Sequence, residues 1–240
     1  MKKHYITYLL FACFIFLSAV VSGSQTGNDV KIGTNSNSAT FPQVVFCSQQ
    51  NKFLTVWSGN ENGFDRIYYN FQTEAGVSGT PSPNGSVLSS APSGTFRYSE
   101  RPRVAYDAST GTAAVVWLES YAPGKDSVML SIIDVAAETE LTEVLVASNS
   151  TWNMSAAVGS DNAGNFLVAF YDTTSLSVTA KIYDSNGVQS GADITLGTVP
   201  GGYLFPYSID IAYNTADDHF LVVWADYATN LFSRVVNTDG

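Results

Sequence analysis

The chain has 240 residues, of which 21 are acidic and 11 basic, so its formal net charge is −10. This balance argues against a nucleic-acid-binding protein, because a phosphate-binding surface needs clustered lysine and arginine side chains. Hydrophobic residues make up 45% of the sequence. That share is enough to bury a sizeable core and excludes a disordered composition.

The first residues predict that the protein is exported. Two lysines follow Met1, an apolar run covers residues 6–21, and small residues occupy positions 22–24. This order is typical of a secretory signal peptide, which we assign to residues 1–23. The alternatives are a lipoprotein signal at Cys13 and an uncleaved membrane anchor, although the run is slightly short of the about 20 residues that span a bilayer. We expect a secreted, periplasmic or cell-surface protein with no membrane contact after cleavage.

A sixteen-residue pattern occurs four times in the rest of the chain. Its copies are residues 42–57 (PQVVFCSQQNKFLTVW), 102–117 (PRVAYDASTGTAAVVW), 155–170 (SAAVGSDNAGNFLVAF) and 209–224 (IDIAYNTADDHFLVVW). Each copy joins a short apolar run, a polar segment typical of a hairpin turn, and a second apolar run that ends on an aromatic residue. Such short apolar runs, bounded by turn residues, predict strands that are covered on both faces.

Each copy is followed by a third apolar segment and, in the first three units, by a fourth, with a period of about 54 residues. Four strands per unit at this period predict an all-β fold, a β-propeller of four-stranded antiparallel blades over residues 24–240. Residues 28–34 match residues 192–198, the fourth strand of the third unit. We therefore expect four blades, closed by the N-terminal strand. The alternative is the front part of a larger propeller.

The repeat reads as apolar-Ala-Tyr-Asp, a turn, Phe-Leu-Val-Val-Trp and a later Asp-x-x-Gly. In these residues it resembles the blade repeats of exported microbial β-propeller proteins, over nearly all of residues 28–240. The third unit departs from the pattern, with Gly159 in place of the aromatic residue and Phe170 in place of tryptophan. The resemblance implies the fold but not the function, because propellers include lectins, hydrolases, scaffolds and adhesins.

One cluster of arginines stands out as a candidate ligand site. Arg97, Arg101 and Arg103 lie close together in the sequence, with Tyr98 and Glu100 beside them. Guanidinium groups hold anionic ligands through bidentate hydrogen bonds. A distant resemblance to sialidases, which hold a carboxylate with arginines and pair a tyrosine with a glutamate, implies an acidic glycan here. The alternative is a solvated loop between blades.

Aromatic residues outside the repeated columns form a second candidate set, because loops carry most recognition. They are Phe64, Tyr121, Trp152, Tyr171, Tyr203, Phe205 and Tyr227. From this set we assign Trp152, Tyr203 and Tyr227 to ligand binding, together with Arg97, Tyr98, Arg101 and Arg103. The aromatic residues that end each copy of the repeat are expected to pack between blades instead.

The sequence offers no recognisable catalytic constellation, and we assign no catalytic residue from it. After the signal peptide only one cysteine, Cys47, and one histidine, His219, remain, which is too few for the usual zinc sites or for a nucleophile with its base. No cofactor is predicted, although calcium is possible because Asp107, Asp161 and Asp217 fall in equivalent turns. The same residues are also ordinary turn formers.

Three functions remain open from the sequence. The leading hypothesis is an exported, non-catalytic binding or adhesion module that recognises a glycan or protein through the loops between blades. The second is a sialidase-like glycan hydrolase, which rests on the arginine cluster. The third is a fragment of a larger structural surface protein built from propeller repeats.

Overall fold

The computed structural model describes residues 32–33, 38–61, 63–73, 85–89, 98–122, 125–148, 155–199, 204, 208–228 and 230–238. All regular structure in these ranges is β-strand. They include no helix that is long and apolar enough to cross a membrane. The predicted signal peptide lies outside the described residues, so export remains a prediction.

The strands form four antiparallel units, which we call blades 1 to 4. Blade 1 contains β1 (Ala39–Cys47), β2 (Lys52–Glu61), β3 (Phe64–Thr73) and β4 (Ser86–Val87). Blade 2 contains β5 (Tyr98–Asp107), β6 (Thr112–Ala122), β7 (Lys125–Asp134) and β8 (Thr139–Ser148). Blade 3 contains β9 (Ala156–Ser160), β10 (Asn165–Asp172), β11 (Ser177–Asp184) and β12 (Gln189–Thr198). Blade 4 contains β13 (Asp210–Asn214), β14 (His219–Ala225) and β15 (Leu231–Asn237).

Within each blade, strands that are neighbours in sequence pair antiparallel, as the hairpin turns of the repeat predict. The predicted all-β architecture is confirmed. One parallel pair, Asp65 with Tyr98, also joins β3 to β5, so blades 1 and 2 meet at one end of these strands. The rest of the predicted closing strand, residues 28–31 and 34, lies outside the described residues.

Successive side chains of a strand point to opposite faces of the sheet, so each blade can bury one face against the blade before it and one against the blade after it. One apolar core lies between blades 1 and 2, another between blades 2 and 3, and a third between blades 3 and 4. Tyr171 of β10 is fully buried in the third core. The sequence grouped Tyr171 with recognition residues in or near loops, but β10 continues past the end of the repeat and its side chain is buried.

The aromatic residues that end the four copies of the repeat are all buried, at 4% exposure or less: Trp57, Trp117, Phe170 and Trp224. Trp117 belongs to the core shared with blade 1, and Trp224 to the core shared with blade 3. For Trp117, Phe170 and Trp224 the predicted role in packing between blades is confirmed, whereas Trp57 belongs to none of the three cores. Burial in these cores argues against sugar stacking on Trp117, Phe170 and Trp224.

The third copy of the repeat is one residue out of register with the others. The aligned pairs are Phe46 with Phe53, Tyr106 with Ala113, Tyr213 with Phe220, and Ser160 with Phe166. Gly159 is therefore not the counterpart of the aromatic residues, as the ungapped alignment had it. The turn is tighter, since the Asp161 N–H donates to the carbonyl of Asn165 at 3.1 Å. Relative to the ungapped alignment, the side chains of β9 point to the opposite faces of the sheet. Gly159 therefore faces Ile211 of blade 4, whose Cγ2 is 2.7 Å from where a Cβ would stand.

Candidate functional site

The strands β1 and β5 each carry a bulge at the same place in the repeat. The pairing register shifts at Phe41–Pro42 in β1 and at Arg101–Pro102 in β5. Phe41 and Arg101 have positive φ angles of 53° and 63°. A residue before proline prefers extended backbone, and a left-handed conformation outside glycine costs of order 1–3 kcal/mol. Bulges of this kind change the direction of a side chain and often lie next to active sites.

The two bulges bring Arg101 and Phe41 together. The guanidinium of Arg101 lies 5.8 Å from the centroid of the Phe41 ring, within the range of a cation–π contact. The backbone N–H of Arg101 donates to the buried Oγ of Ser58 at 3.1 Å. Because Ser58 belongs to β2, blade 1 holds the bulge of blade 2 in place. The site therefore lies at the junction of the two blades.

A cavity of about 190 Å³ opens between the two bulges and is lined by Phe41, Gln43, Arg101, Pro102 and Arg103. Nη1 of Arg103 donates to Oε1 of Gln43 at 3.5 Å, so the second arginine reaches across from β5 to β1. Two guanidinium groups beside an aromatic ring offer both charge-assisted hydrogen bonds and an apolar surface. This combination suits a small polar ligand group that carries negative charge.

A row of polar residues crosses the blades at the end where β5 begins. Asp65 of β3 pairs with Tyr98 of β5. Tyr98 also pairs with Ser120 of β6, which in turn pairs with Asp126 of β7. Directly opposed residues on neighbouring strands have adjacent side chains, and Oγ of Ser120 donates to Oδ1 of Asp126 at 2.5 Å. Tyr98 is 42% exposed, whereas Asp126 is buried.

Glu100 lies two residues beyond Tyr98, on the same face of β5, and its Oε1 is 3.3 Å from Nη2 of Arg101. Burial is the main cause that raises the pKa of Glu100, and the carboxylates of Asp65 and Asp126 raise it further. The positive charge of Arg101 lowers the pKa but does not cancel these effects. The Glu100 side chain keeps 32% exposure, so a ligand can reach it. A reachable carboxyl with a raised pKa beside other carboxylates is suited to general acid catalysis.

The ligand-binding residues predicted from the sequence fall into three groups. The structure brings together Tyr98, Arg101 and Arg103, which all lie on β5. Outside the described residues lie Arg97, Trp152 and Tyr203. Tyr227 is 56% exposed in the connection between β14 and β15. It lies two blades away from β5 and does not share the cavity, so its role remains a prediction.

Sequence reasoning missed Phe41, Asp65 and Asp126. Phe41 had a signal, since Phe41–Pro42 aligns with Arg101–Pro102 at the start of the repeat. The two aspartates had none, because they come from β3 and β7 and approach Glu100 only through strand pairing. Such long-range pairing is invisible in the spacing of one segment.

The turn aspartates that suggested calcium are engaged by the protein itself. Oδ1 of Asp107 accepts the backbone N–H groups of Ser109 and Thr110, both at 2.9 Å. Its Oδ2 accepts Oγ–H of Ser160 and N–H of Gly164, also at 2.9 Å. These bonds occupy the oxygens that a calcium ion would use. Within the described ranges no group of three or more acidic, histidine or cysteine side chains could hold a metal ion, and calcium binding remains untested.

No protein-family model matches the chain, and no curated protein matches it either. Solved structures do share its fold. A Hadza microbial sialidase superposes with a TM-score of 0.58 at 12% identity, covering 84% of this chain and 45% of its own. An N-acetylgalactosamine deacetylase from F. plautii, in complex with blood group B trisaccharide, gives 0.51 at 14% identity, covering 88% and 69%. An exo-β-1,3-galactanase from Phanerochaete chrysosporium with β-1,3-galactotriose gives 0.51 at 11% identity, covering 86% and 49%.

These similarities support the propeller fold and leave the number of blades open. The chain spans less than half of the length of the sialidase. The leading functional hypothesis from the sequence, a non-catalytic binding or adhesion module, is corrected by them. These three structures are of glycan-processing enzymes, so the second hypothesis, a glycan hydrolase, is the one to propose.

Proposed function

We propose that the chain forms the active-site part of a glycan hydrolase, with the substrate bound in the cavity between the bulges of β1 and β5. The observation that carries the proposal is Glu100, a reachable carboxyl whose pKa is raised by burial and by two nearby carboxylates, next to a cavity with two arginines. The fold shared with glycan-processing enzymes supports a glycan as the substrate class.

Most glycosidases use a pair of carboxyl groups on either side of the scissile bond, one as acid and one as base or nucleophile. Glu100 is our candidate for the acid that protonates the leaving oxygen, because its raised pKa keeps the proton available. Asp65 is our candidate for the second carboxylate, since it is only partly buried and accepts a hydrogen bond from Nδ2 of Asn60 at 2.8 Å. Asp126 is buried and acts on Glu100 through its charge.

The arginines support an acidic sugar as the substrate group. Arg101 and Arg103 line the same cavity and would hold a carboxylate by charge-assisted hydrogen bonds. The ring of Phe41 would pack against the apolar face of the sugar. The protein would meet such a glycan outside the cell, because residues 1–23 have the pattern of a signal peptide.

We also infer that the blades belong to one propeller ring and that Ile32 and Gly33 take the place of an outer strand of the blade before blade 1. Ile32 supports this placement, since its carbonyl accepts a hydrogen bond from Nδ2 of Asn70 in β3 at 2.9 Å. Closure through an N-terminal strand leaves no unpaired sheet edge at that point.

The proposed activity is tested with a panel of fluorogenic glycosides of sialic acid, uronic acids and neutral sugars. We expect wild-type turnover of an acidic member and a fall of about 10²–10⁴-fold in kcat for Glu100→Gln, the usual contribution of a general acid. The fall should be much smaller with an activated aryl leaving group, which departs without protonation. Asp193→Asn, on the outer strand of blade 3, is the control and should keep full activity. Turnover unchanged in Glu100→Gln, or absent across the panel in the wild type, contradicts the proposal.

A further inference from the structure

The three blade junctions are filled by apolar cores, but two outer faces of the assembly are exposed. We call them the first face, on the side of blade 1 away from blade 2, and the last face, on the side of blade 4 away from blade 3. The first face includes Val44, Phe46, Phe53, Thr55 and Trp57. The last face includes Ala212, Leu221, Val223, Leu231 and Val235. Within the described residues, the last face contributes no buried side chain, and the buried side chains of the first face are Thr55, Trp57, Tyr68 and Asn70.

The first face has the composition of a buried surface. Val44, Phe46 and Phe53 are 62%, 46% and 37% exposed. Beside them a cavity of about 260 Å³ reaches Trp57 and Pro42. In the other blades the corresponding positions are covered by the preceding blade. Their equivalents in blade 4 belong to the core with blade 3: Ile211, Tyr213 and Phe220.

The last face is likewise exposed although its residues are of the kind that is buried in the other blades. Leu221, Leu231 and Val235 are 41%, 77% and 52% exposed. Strand pairing makes them equivalent to three residues of blade 3 that are at most 3% exposed: Leu167, Val178 and Ile182. Contiguous exposed apolar side chains mark interaction surfaces. Because these positions are buried at the junction after blade 3, we expect a similar sheet to cover them after blade 4.

The segment Ile32–Gly33 identifies what lies against the first face. Between blades 3 and 4, the outer strand β12 contacts blade 4 through a hydrogen bond from Nε of Arg234 to the carbonyl of Leu196, at 2.9 Å. Asn70 occupies the position of Arg234 in blade 1 and donates to the carbonyl of Ile32, also at 2.9 Å. Ile32 is therefore placed as β12 is, in the outer strand of a blade that precedes blade 1.

The contacts of Trp224 and Trp57 show the same correspondence between β12 and the segment Ile32–Gly33. A Cβ on Gly197 would lie 3.0 Å from Cζ2 of Trp224, and a Cβ on Gly33 would lie 2.7 Å from Cζ2 of Trp57. Ile32 and Gly33 thus contact the first face as Leu196 and Gly197 contact blade 4. Within the described residues, no inner strands of a preceding blade lie against this face.

We propose that the first and last faces bind the two sides of one further antiparallel sheet of three strands, beside which Ile32 and Gly33 take the place of the fourth strand. Blade 4 is not that sheet, because direct packing of blade 4 on blade 1 would bury Val44 against Ala212 and cover Leu221 and Val235. This differs from the four-blade ring expected from the sequence. The partner must be a blade of the same kind, apolar on both faces and with one strand edge free to pair.

A cysteine pair tests whether the chain closes on itself. Ala212 and Val44 correspond to Gly159 and Ile211, where a Cβ on Gly159 would lie 3.3 Å from Cβ of Ile211, close to the separation in a disulfide. In the chain with Cys47→Ala, Val44→Cys and Ala212→Cys, we expect no disulfide under oxidising conditions. An intramolecular disulfide would mean direct closure, and a disulfide-linked dimer would mean that a second copy covers the faces. Either result overturns the proposal.

A second experiment supplies the missing sheet. A copy of residues 155–184, which contain β9 to β11, is joined after Gly240 through a short linker. We expect a higher Tm, loss of binding of a hydrophobic dye, and modification of a cysteine at Val44→Cys that is about tenfold slower than in the unextended chain, because buried thiols react slowly. The control extension carries Leu167→Asp and Val168→Asp in the copy. Dye binding and thiol reactivity that are equal in both extended chains overturn the proposal. Glycosidase activity enters neither experiment, so the result is independent of the proposed function.

Discussion

The guanidinium of Arg101 lies 5.8 Å from the centroid of the Phe41 ring, and both residues hold a left-handed backbone immediately before a proline. Blades 1 and 2 thus contain the same strained backbone conformation at the same position of the repeat. Such strain persists only where the surroundings enforce it, and it clusters at functional sites. Here Ser58 of the first blade enforces it by accepting the N–H of Arg101.

Arg101→Gly is expected to relieve the backbone strain at residue 101 while weakening the binding of an acidic glycoside. Glycine adopts positive φ without steric cost, so the free energy of unfolding should be kept or should rise by up to about 1 kcal/mol. Loss of a charge-assisted contact should raise KM for an acidic glycoside by about 10- to 100-fold. Urea unfolding and steady-state kinetics measure the two effects. Arg101→Ala is the matched control, which loses the same contact but keeps the strain. The interpretation is wrong if Arg101→Gly is the less stable of the two.

Glu100→Gln is expected to lower activity without lowering stability at neutral pH. A raised pKa in the folded protein means that the contribution of Glu100 to stability is fully present below the ordinary pKa of a glutamate. It is lost as the pH rises through the folded pKa. Glutamine does not ionise and escapes this loss, so the variant should gain stability relative to the wild type across that range. Free energies of unfolding measured from pH 4 to pH 8 test this, and a difference that is independent of pH would contradict it.

Much of the fold could be predicted from the sequence because the repeat reflects local structure. A hairpin turn and its two flanking apolar runs lie within sixteen residues, and the aromatic residue that ends each copy is buried as predicted. The error at Gly159 arose where a turn is one residue shorter, since an ungapped alignment cannot register a shortened turn. In a strand, a shift of one residue turns every side chain to the other face.

Only part of the candidate site could be predicted from the sequence. Arg101 and Arg103 are near in sequence and stayed together in the structure. Asp65 and Asp126 reach Glu100 through four strands of two blades, and the raised pKa of Glu100 depends on burial, which no sequence pattern reports. The sequence therefore shows Glu100 as a member of the cluster but does not show that it is suited to act as a general acid.

Asp107→Asn is expected to loosen the contact between the turns of blades 2 and 3. Burial alone would raise the pKa of Asp107, but hydrogen bonds from Ser109, Gly164, Thr110 and Ser160 outweigh it and hold the pKa below its ordinary value. The stabilisation is thus present above the ordinary pKa of an aspartate and is lost as the pH falls through the lower folded pKa. The asparagine side chain cannot accept both Gly164 N–H and the Ser109 and Thr110 donors, which we expect to cost about 2–4 kcal/mol at pH 7.

Chemical unfolding as a function of pH measures this effect. The difference between wild type and Asp107→Asn should be constant from pH 5 to pH 8 and should shrink below pH 4. Asp210→Asn, an exposed residue of β13, is the control and should show little difference at any pH. A deficit of Asp107→Asn that persists unchanged into acid would mean that the charge of Asp107 plays no part.

Gly197→Ala is expected to destabilise the junction of blades 3 and 4, and Trp224→Phe to restore it. The added Cβ would lie 3.0 Å from Cζ2 of Trp224, and overpacking a buried ring costs typically 1–3 kcal/mol. The junction of blades 2 and 3 already has the smaller pair, since Ala147 stands at the position of Gly197 and packs against the core that contains Phe170. A double-mutant cycle should therefore give a favourable coupling between the two substitutions. Additive effects would mean that the glycine is required by the backbone of β12 and not by the size of the tryptophan.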